Sequence, residues 1–156
     1  VTKRTIEDLL REHPFTARLT PDQVALVAGC GKNIHYAAGA FLAREGSPAD
    51  EFFVIRQGRV AVSASVPGRG DIVLETLREG DVAGWSWIMP PYLWTFNIQA
   101  LEPVLAIALD GKCLREKCET DTRLGFAIMR ALAEIITVRL RSTRLQLIDM
   151  YKAHSP

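Results

Sequence analysis

The residues with the most chemical potential fall in one stretch, Gly84-Trp-Ser-Trp-Ile-Met-Pro-Pro-Tyr-Leu-Trp94, which holds every tryptophan of the chain. No Lys or Arg occurs between Arg78 and Lys112, although Glu79, Asp81, Glu102 and Asp110 lie in or beside that interval. Indole rings in such a setting can stack on a planar ligand or fill a core, but they cannot pair with a phosphate. The other candidates are weaker. Cys113 and Cys118 are five apart, about 140° around a helix, so they cannot share a metal. His13, His35 and His154 are scattered, no metal site is expected, and the cysteines read as buried or idle. No nucleophile elbow, zinc-hydrolase helix, phosphate loop or dinucleotide fingerprint is present, so no catalytic residue is assigned and the chain reads as non-enzymatic. No cofactor can be named.

The frame around these residues is ordinary. The chain has 156 residues, 48% hydrophobic and 24% charged, with a formal charge of +1. At this length roughly two thirds of the unfolded surface can be buried, so neither a disulfide nor a metal is required. An odd cysteine count fits a reduced compartment, and no apolar run approaches a membrane span or a signal peptide. The expected location is cytoplasmic, without a membrane partner. Near-neutral charge argues against a strong nucleic-acid binder.

The elements that must position the tryptophan segment can be read in order as one domain over 1–156. Helices are expected within residues 5–31: Thr5 and Asp8 have capping-box spacing, and Thr20-Pro21-Asp22-Gln23 combines an N-cap, a proline at the first helical position and a Gln at the third. From 34 to 109 the pattern changes to short β-prone runs, such as Phe52-Phe-Val-Ile55 and Val104-Leu-Ala-Ile107, punctuated by Gly39, Gly46, Gly58, Gly68, Gly70 and Gly80. A short helix is predicted at 84–89, stopped by Pro90-Pro91. Helices follow over 112–119 and from Thr122 to about Tyr151, the second roughly 45 Å long. That helix carries one apolar stripe through Ile128, Leu132, Ile135, Val138 and Leu145 and a second through Ile136, Leu140, Leu147 and Met150. Two stripes imply two partners, the β core and a second copy of the chain. The dimer interface is expected at Ile128, Leu132, Ile135, Val138, Ser142 and Leu145.

This layout resembles the cyclic nucleotide-binding domain of catabolite activator proteins and protein kinase A regulatory subunits. The likeness is carried by Tyr36-x-x-Gly39, Arg44-Glu-Gly-Ser-Pro-Ala-Asp50, Phe52-Phe-Val-Ile55, Gly58-Arg-Val-Ala-Val62, Gly80-Asp81 and Val138-Arg-Leu-Arg-Ser-Thr-Arg144. It implies a mainly β fold, an antiparallel barrel or jelly roll (double-stranded β-helix), flanked by N-terminal helices and a long C-terminal dimer helix. It further implies a pocket at a phosphate cassette, where a Glu holds the ribose and an Arg the phosphate. In this sequence Trp85 stands in place of that Glu, and Trp94 at or next to the Arg position.

A regulatory or sensor domain is therefore expected, with ligand-binding residues Gly84, Trp85, Ser86, Trp87, Trp94, Thr95, Asn97, Thr143 and Arg144. Ser142, Thr143 or Arg144 of the long helix would close the pocket, and Arg144 is the candidate substitute cation. Three readings follow: a pocket rebuilt for another small, planar molecule; a pocket filled by its own tryptophans in a dimeric docking subunit; or weak cyclic AMP or cyclic GMP binding through amides alone. The family's helix-turn-helix follows the long helix, where this sequence has only a few residues left, so output is expected through a protein partner rather than DNA.

Overall fold

The computed structural model describes residues 3–155. Two short helices come first, α1 (Ile6–Arg11) and α2 (Pro21–Ala28), separated by a 3₁₀ turn at Pro14–Thr16. Both capping boxes form: Thr5 accepts from the Asp8 amide while Asp8 accepts from Thr5, and Thr20 and Gln23 do the same for α2. Eight strands follow, β1 (Gly31–Tyr36), β2 (Phe41–Ala43), β3 (Glu51–Gln57), β4 (Val60–Val66), β5 (Gly70–Leu77), β6 (Val82–Ala83), β7 (Asn97–Ala100) and β8 (Val104–Asp110). They make two four-stranded antiparallel sheets, ordered β1-β8-β3-β6 and β2-β7-β4-β5. The sheets face each other as a β-roll and do not close into a barrel. Helices α3 (Gly111–Thr120) and α4 (Thr122–Ala153) complete the order.

The β3 strand shows how the layers are made. Successive side chains point to opposite faces, and both faces of this strand are buried. Phe52 and Val54 pack with Leu10, Val27, Leu114, Leu124 and Ile128 in a core between the first sheet and the helices. Phe53 and Ile55 pack with Val62, Ile98, Ala106 and Trp94 in a second core between the sheets. A run without polar alternation is what a doubly covered strand requires.

Three expectations are corrected here. Residues 84–89 form turns rather than a helix: Gly84 takes a positive φ of 84°, which breaks the regular backbone at the first position such a helix would use. Cys30 and Cys113 are joined in a disulfide, so Cys113 is not idle and the odd count does not indicate three free thiols. Spacing within α3 could not reveal this pair, because Cys30 reaches it through the β1–β8 ladder, where the Asp110 amide donates to the Cys30 carbonyl at 2.8 Å. Finally, Ile128 and Leu132 are buried in the chain's own core, and Ile135 packs on it, so this stripe is not a free dimer face. The exposed apolar residues of α4 include instead the other stripe, Ile136, Leu140, Leu147 and Met150.

Candidate functional site

The tryptophan segment enters from β6, which pairs with β3 through Val82 and Ala83. After Gly84 it runs as a loop strapped to the segment before β3. The Trp94 amide donates to the Ser47 carbonyl, the Gly46 amide to Trp94, and the Ala49 amide to Tyr92, all within 2.7–2.8 Å. From the helical side, Arg115 of α3 donates to the Trp87 carbonyl at 2.5 Å and lies over the Tyr92 ring, 4.1 Å from its centroid.

The indoles go to different layers. Trp87 is fully buried in the helix-side core against Phe52, with ring centroids 5.6 Å apart. Its Cβ lies so close to Gly111 that any side chain there would collide with it. Trp94 turns into the space between the sheets and stacks on Phe53, 6.2 Å between centroids at 20°. The far edge of its ring rests on Gly84: a Cβ at that position would stand 2.3 Å from Cη2 and Cζ3. Trp85 remains half-buried.

Between this loop, the second sheet and α4 lies a cavity of about 250 Å³. Gly84, Trp85, Ser86, Trp94 and Thr95 line it, and Thr143 contributes from α4. Trp87 does not, because it occupies the opposite side of the first sheet. Asn97 does not either: buried in β7, it accepts from the Glu45 amide at 2.9 Å and belongs to the sheet's own bonding. Arg144 lies exposed beyond the cavity on α4.

The cation that does reach the site is Arg139. Its side chain is 14% exposed; it donates to the Val82 carbonyl, lies 3.6 Å from Glu75 and places its guanidinium carbon 5.0 Å from the Trp85 ring centroid. Burial pulls its pKa below the ordinary arginine value, opposed by the nearby charges of Glu75 and Asp81. The Arg139–Glu75 pair also borders a wider groove of about 700 Å³ between α4 and the Pro14–Gln23 segment, so it forms the wall between the two spaces. Glu75, Phe96 and Arg139 were missed in the sequence. The one available signal was the placement of Arg139 one helical turn from Thr143, on the same face. Among the described residues no group of three or more His, Cys, Asp or Glu is placed to hold a metal.

A family model for the cyclic nucleotide-binding domain matches residues 33–121. The chain belongs to the cyclic nucleotide-binding domain family. It is 30% identical over 108 residues to the cGMP-dependent protein kinase egl-4 of Caenorhabditis elegans, covering 69% of this chain and 13% of the kinase. It is 22% identical over 145 residues to a CRP-like cAMP-activated global transcriptional regulator of Mycobacterium tuberculosis, covering 93% of this chain and 63% of the regulator. Among solved structures it is similar to a protein described as cyclic nucleotide-binding from Geobacter metallireducens, with a TM-score of 0.76 and 27% identity over 84% of this chain and 95% of that one. The chain thus spans a small part of the kinase and less than two thirds of the regulator. The family is a regulatory one. No helix among the described residues is long and apolar enough to cross a membrane.

Proposed function

We propose that this domain is a dimeric, non-catalytic sensor whose pocket takes a compact ligand other than a cyclic nucleotide. The observation that carries this is the seating of Trp94 on Gly84, which fills with an indole the space beside the turn where the resemblance places a phosphate and its arginine. With no helix at 84–89, no helix N-terminus gathers amides toward an anion. The 250 Å³ that remain beside the ring favour a rebuilt pocket over one plugged by its own side chains. That volume sits just below the usual range of about 300–1,000 Å³ for ligand sites.

The exposed side of α4 supports the dimeric part of this reading. Phe126, Ala133, Leu140 and Leu147 recur every seven residues, and Met129, Ile136, Thr143 and Met150 follow three residues behind each, the spacing of a coiled-coil seam. All eight are exposed. Of the interface first expected, Val138 and Leu145 are exposed but lie off this seam, and Ser142 faces away from it. Ile136, Leu140 and Thr143 belong both to the seam and to the cavity wall, so a second helix laid along it also covers the pocket mouth. Occupancy would then be relayed through Arg139 to α4 and onward to a protein partner.

The test is a calorimetric and tryptophan-fluorescence titration with cyclic AMP and cyclic GMP. No saturable binding is expected at micromolar concentration; a micromolar dissociation constant for either nucleotide overturns the proposal.

A further inference from the structure

The cavity holds one cation, Arg139, and its bonding is incomplete. A guanidinium carries five N–H donors. One goes to the Val82 carbonyl, and the Glu75 carboxylate, at 3.6 Å, is an ion-pair neighbour beyond hydrogen-bonding distance. No further acceptor meets Arg139 among the described residues, although its side chain is only 14% exposed. The unused donors are not sealed from solvent: they stay open to the spaces that Arg139 lines, where an acceptor on a ligand can meet them.

The charge around it is not that of an anion site. Glu75 lines the same cavity, Asp81 also acts on Arg139, and among the described residues no second Lys or Arg lines the space. An entering carboxylate or phosphate would meet no net positive field, and it would compete with Glu75 for the same guanidinium. A neutral acceptor meets neither penalty. Glu75 adds the complementary function, since an ionised carboxylate only accepts. Donor and acceptor therefore stand side by side at one wall, with the half-buried ring of Trp85 beneath the guanidinium and the rings of Trp94 and Phe96 elsewhere in the lining.

Resting on the reading of this cavity as a ligand site, we propose that its ligand is an uncharged planar heteroaromatic compound bearing a carboxamide or lactam edge. The carbonyl accepts from Arg139, the amide N–H donates to Glu75, and the ring packs on the indoles. Because Arg139 belongs to α4, the helix itself would recognise the ligand.

The experiment compares two isosteres of opposite character, nicotinamide and nicotinate, titrated into the full chain with tryptophan fluorescence and indole N–H resonances as readouts, and with cyclic AMP in parallel. Saturable binding of nicotinamide, with nicotinate at least about tenfold weaker, is expected. Arg139→Gln should weaken nicotinamide about tenfold or more, the effect of losing a charged hydrogen-bond donor. Glu75→Gln should shift the preference toward nicotinate, because it removes the competing carboxylate. The isostere comparison in the unmodified chain needs no variant to fold. Nicotinate binding as tightly as nicotinamide overturns this inference while leaving a non-nucleotide pocket in place. Binding of neither isostere overturns it as well. Binding of cyclic AMP alone overturns both this inference and the function proposed above.

Discussion

Substituting Gly84 by alanine tests the contact on which the pocket reading rests. Two costs are separable. The positive φ of 84° disfavours any L side chain, by about 1–2 kcal/mol. The new methyl would also stand 2.3 Å from two ring atoms of Trp94. That ring is 6% exposed and stacked on Phe53, so it has little room to yield; forced repacking of this kind costs roughly 1–3 kcal/mol. Gly84→Ala should therefore lose about 2–5 kcal/mol in total. Gly39 supplies an internal control, since its φ is 88° and nothing lies within 4 Å of a Cβ built there. Gly39→Ala bears the backbone term alone, and the difference between the two variants isolates the ring contact. The assay is equilibrium urea denaturation followed by far-ultraviolet circular dichroism, with tryptophan emission as a second probe. Made in a Trp94→Leu background and compared with Trp94→Leu alone, Gly84→Ala should lose the contact term and keep only the backbone term. If Gly84→Ala and Gly39→Ala agree within about 0.5 kcal/mol, the usual limit of additivity, the indole does not sit on Gly84 and the argument against a phosphate there fails.

Three further outcomes are expected. Replacing Cys30 and Cys113 by serine should destabilise the fold by roughly 4–5 kcal/mol on the chain-entropy account, since the disulfide closes a sequence separation of 83; a denaturation midpoint unchanged by reductant would refute the bridge. Burial lowers the pKa of His13, whose Nδ1 accepts from the Phe15 amide at 3.1 Å. The native state therefore resists protonation: its stability is full above the unfolded value near 6.5 and falls as pH drops below it, at up to about 1.4 kcal/mol per unit. Denaturation curves at about pH 7.5 and about pH 5.5 should show this fall, and His13→Asn should flatten it. Leu147→Glu, at an exposed seam position, should leave the stability of the single chain within about 0.5 kcal/mol and convert a dimer to a 17.3 kDa monomer in sedimentation. An unmodified chain that already sediments as a monomer at micromolar concentration contradicts the seam.

The loop around the indoles is held from two sides, which bears on how a bound ligand would be felt elsewhere. Arg115 ties the Trp87 carbonyl and the Tyr92 ring to α3, and Arg139 ties the Val82 carbonyl and the Trp85 face to α4. A shift of the loop therefore acts on both C-terminal helices through charge-assisted contacts, whose geometry is directional.

Much of the fold could be read from the chain because it is fixed by neighbours in sequence. The caps at Thr5 and Thr20 form through bonds to residues three positions away. Gly39, Gly58 and Gly80 take the positive φ that their turns demand. The long helix at Thr122–Ala153 follows from its apolar periodicity and lack of proline, and the absence of Lys and Arg between Arg78 and Lys112 is a property of the sequence alone. What the sequence left open were matters of side and register. Trp87 and Trp94 are equally apolar, yet one lies behind the first sheet and the other between the sheets. The two stripes of α4 have similar composition, and only docking against Phe52 and Val54 decided that Ile128 and Leu132 are buried while Ile136 and Leu140 are not. Cys30 meets Cys113, and Arg139 meets Glu75, because strands and helices remote in sequence converge. Local hydrogen bonds and periodicity act over a few residues, whereas partner choice across a core depends on how sheets and helices stack. That stacking turned a loop without cations into a pocket with one, supplied by the last helix.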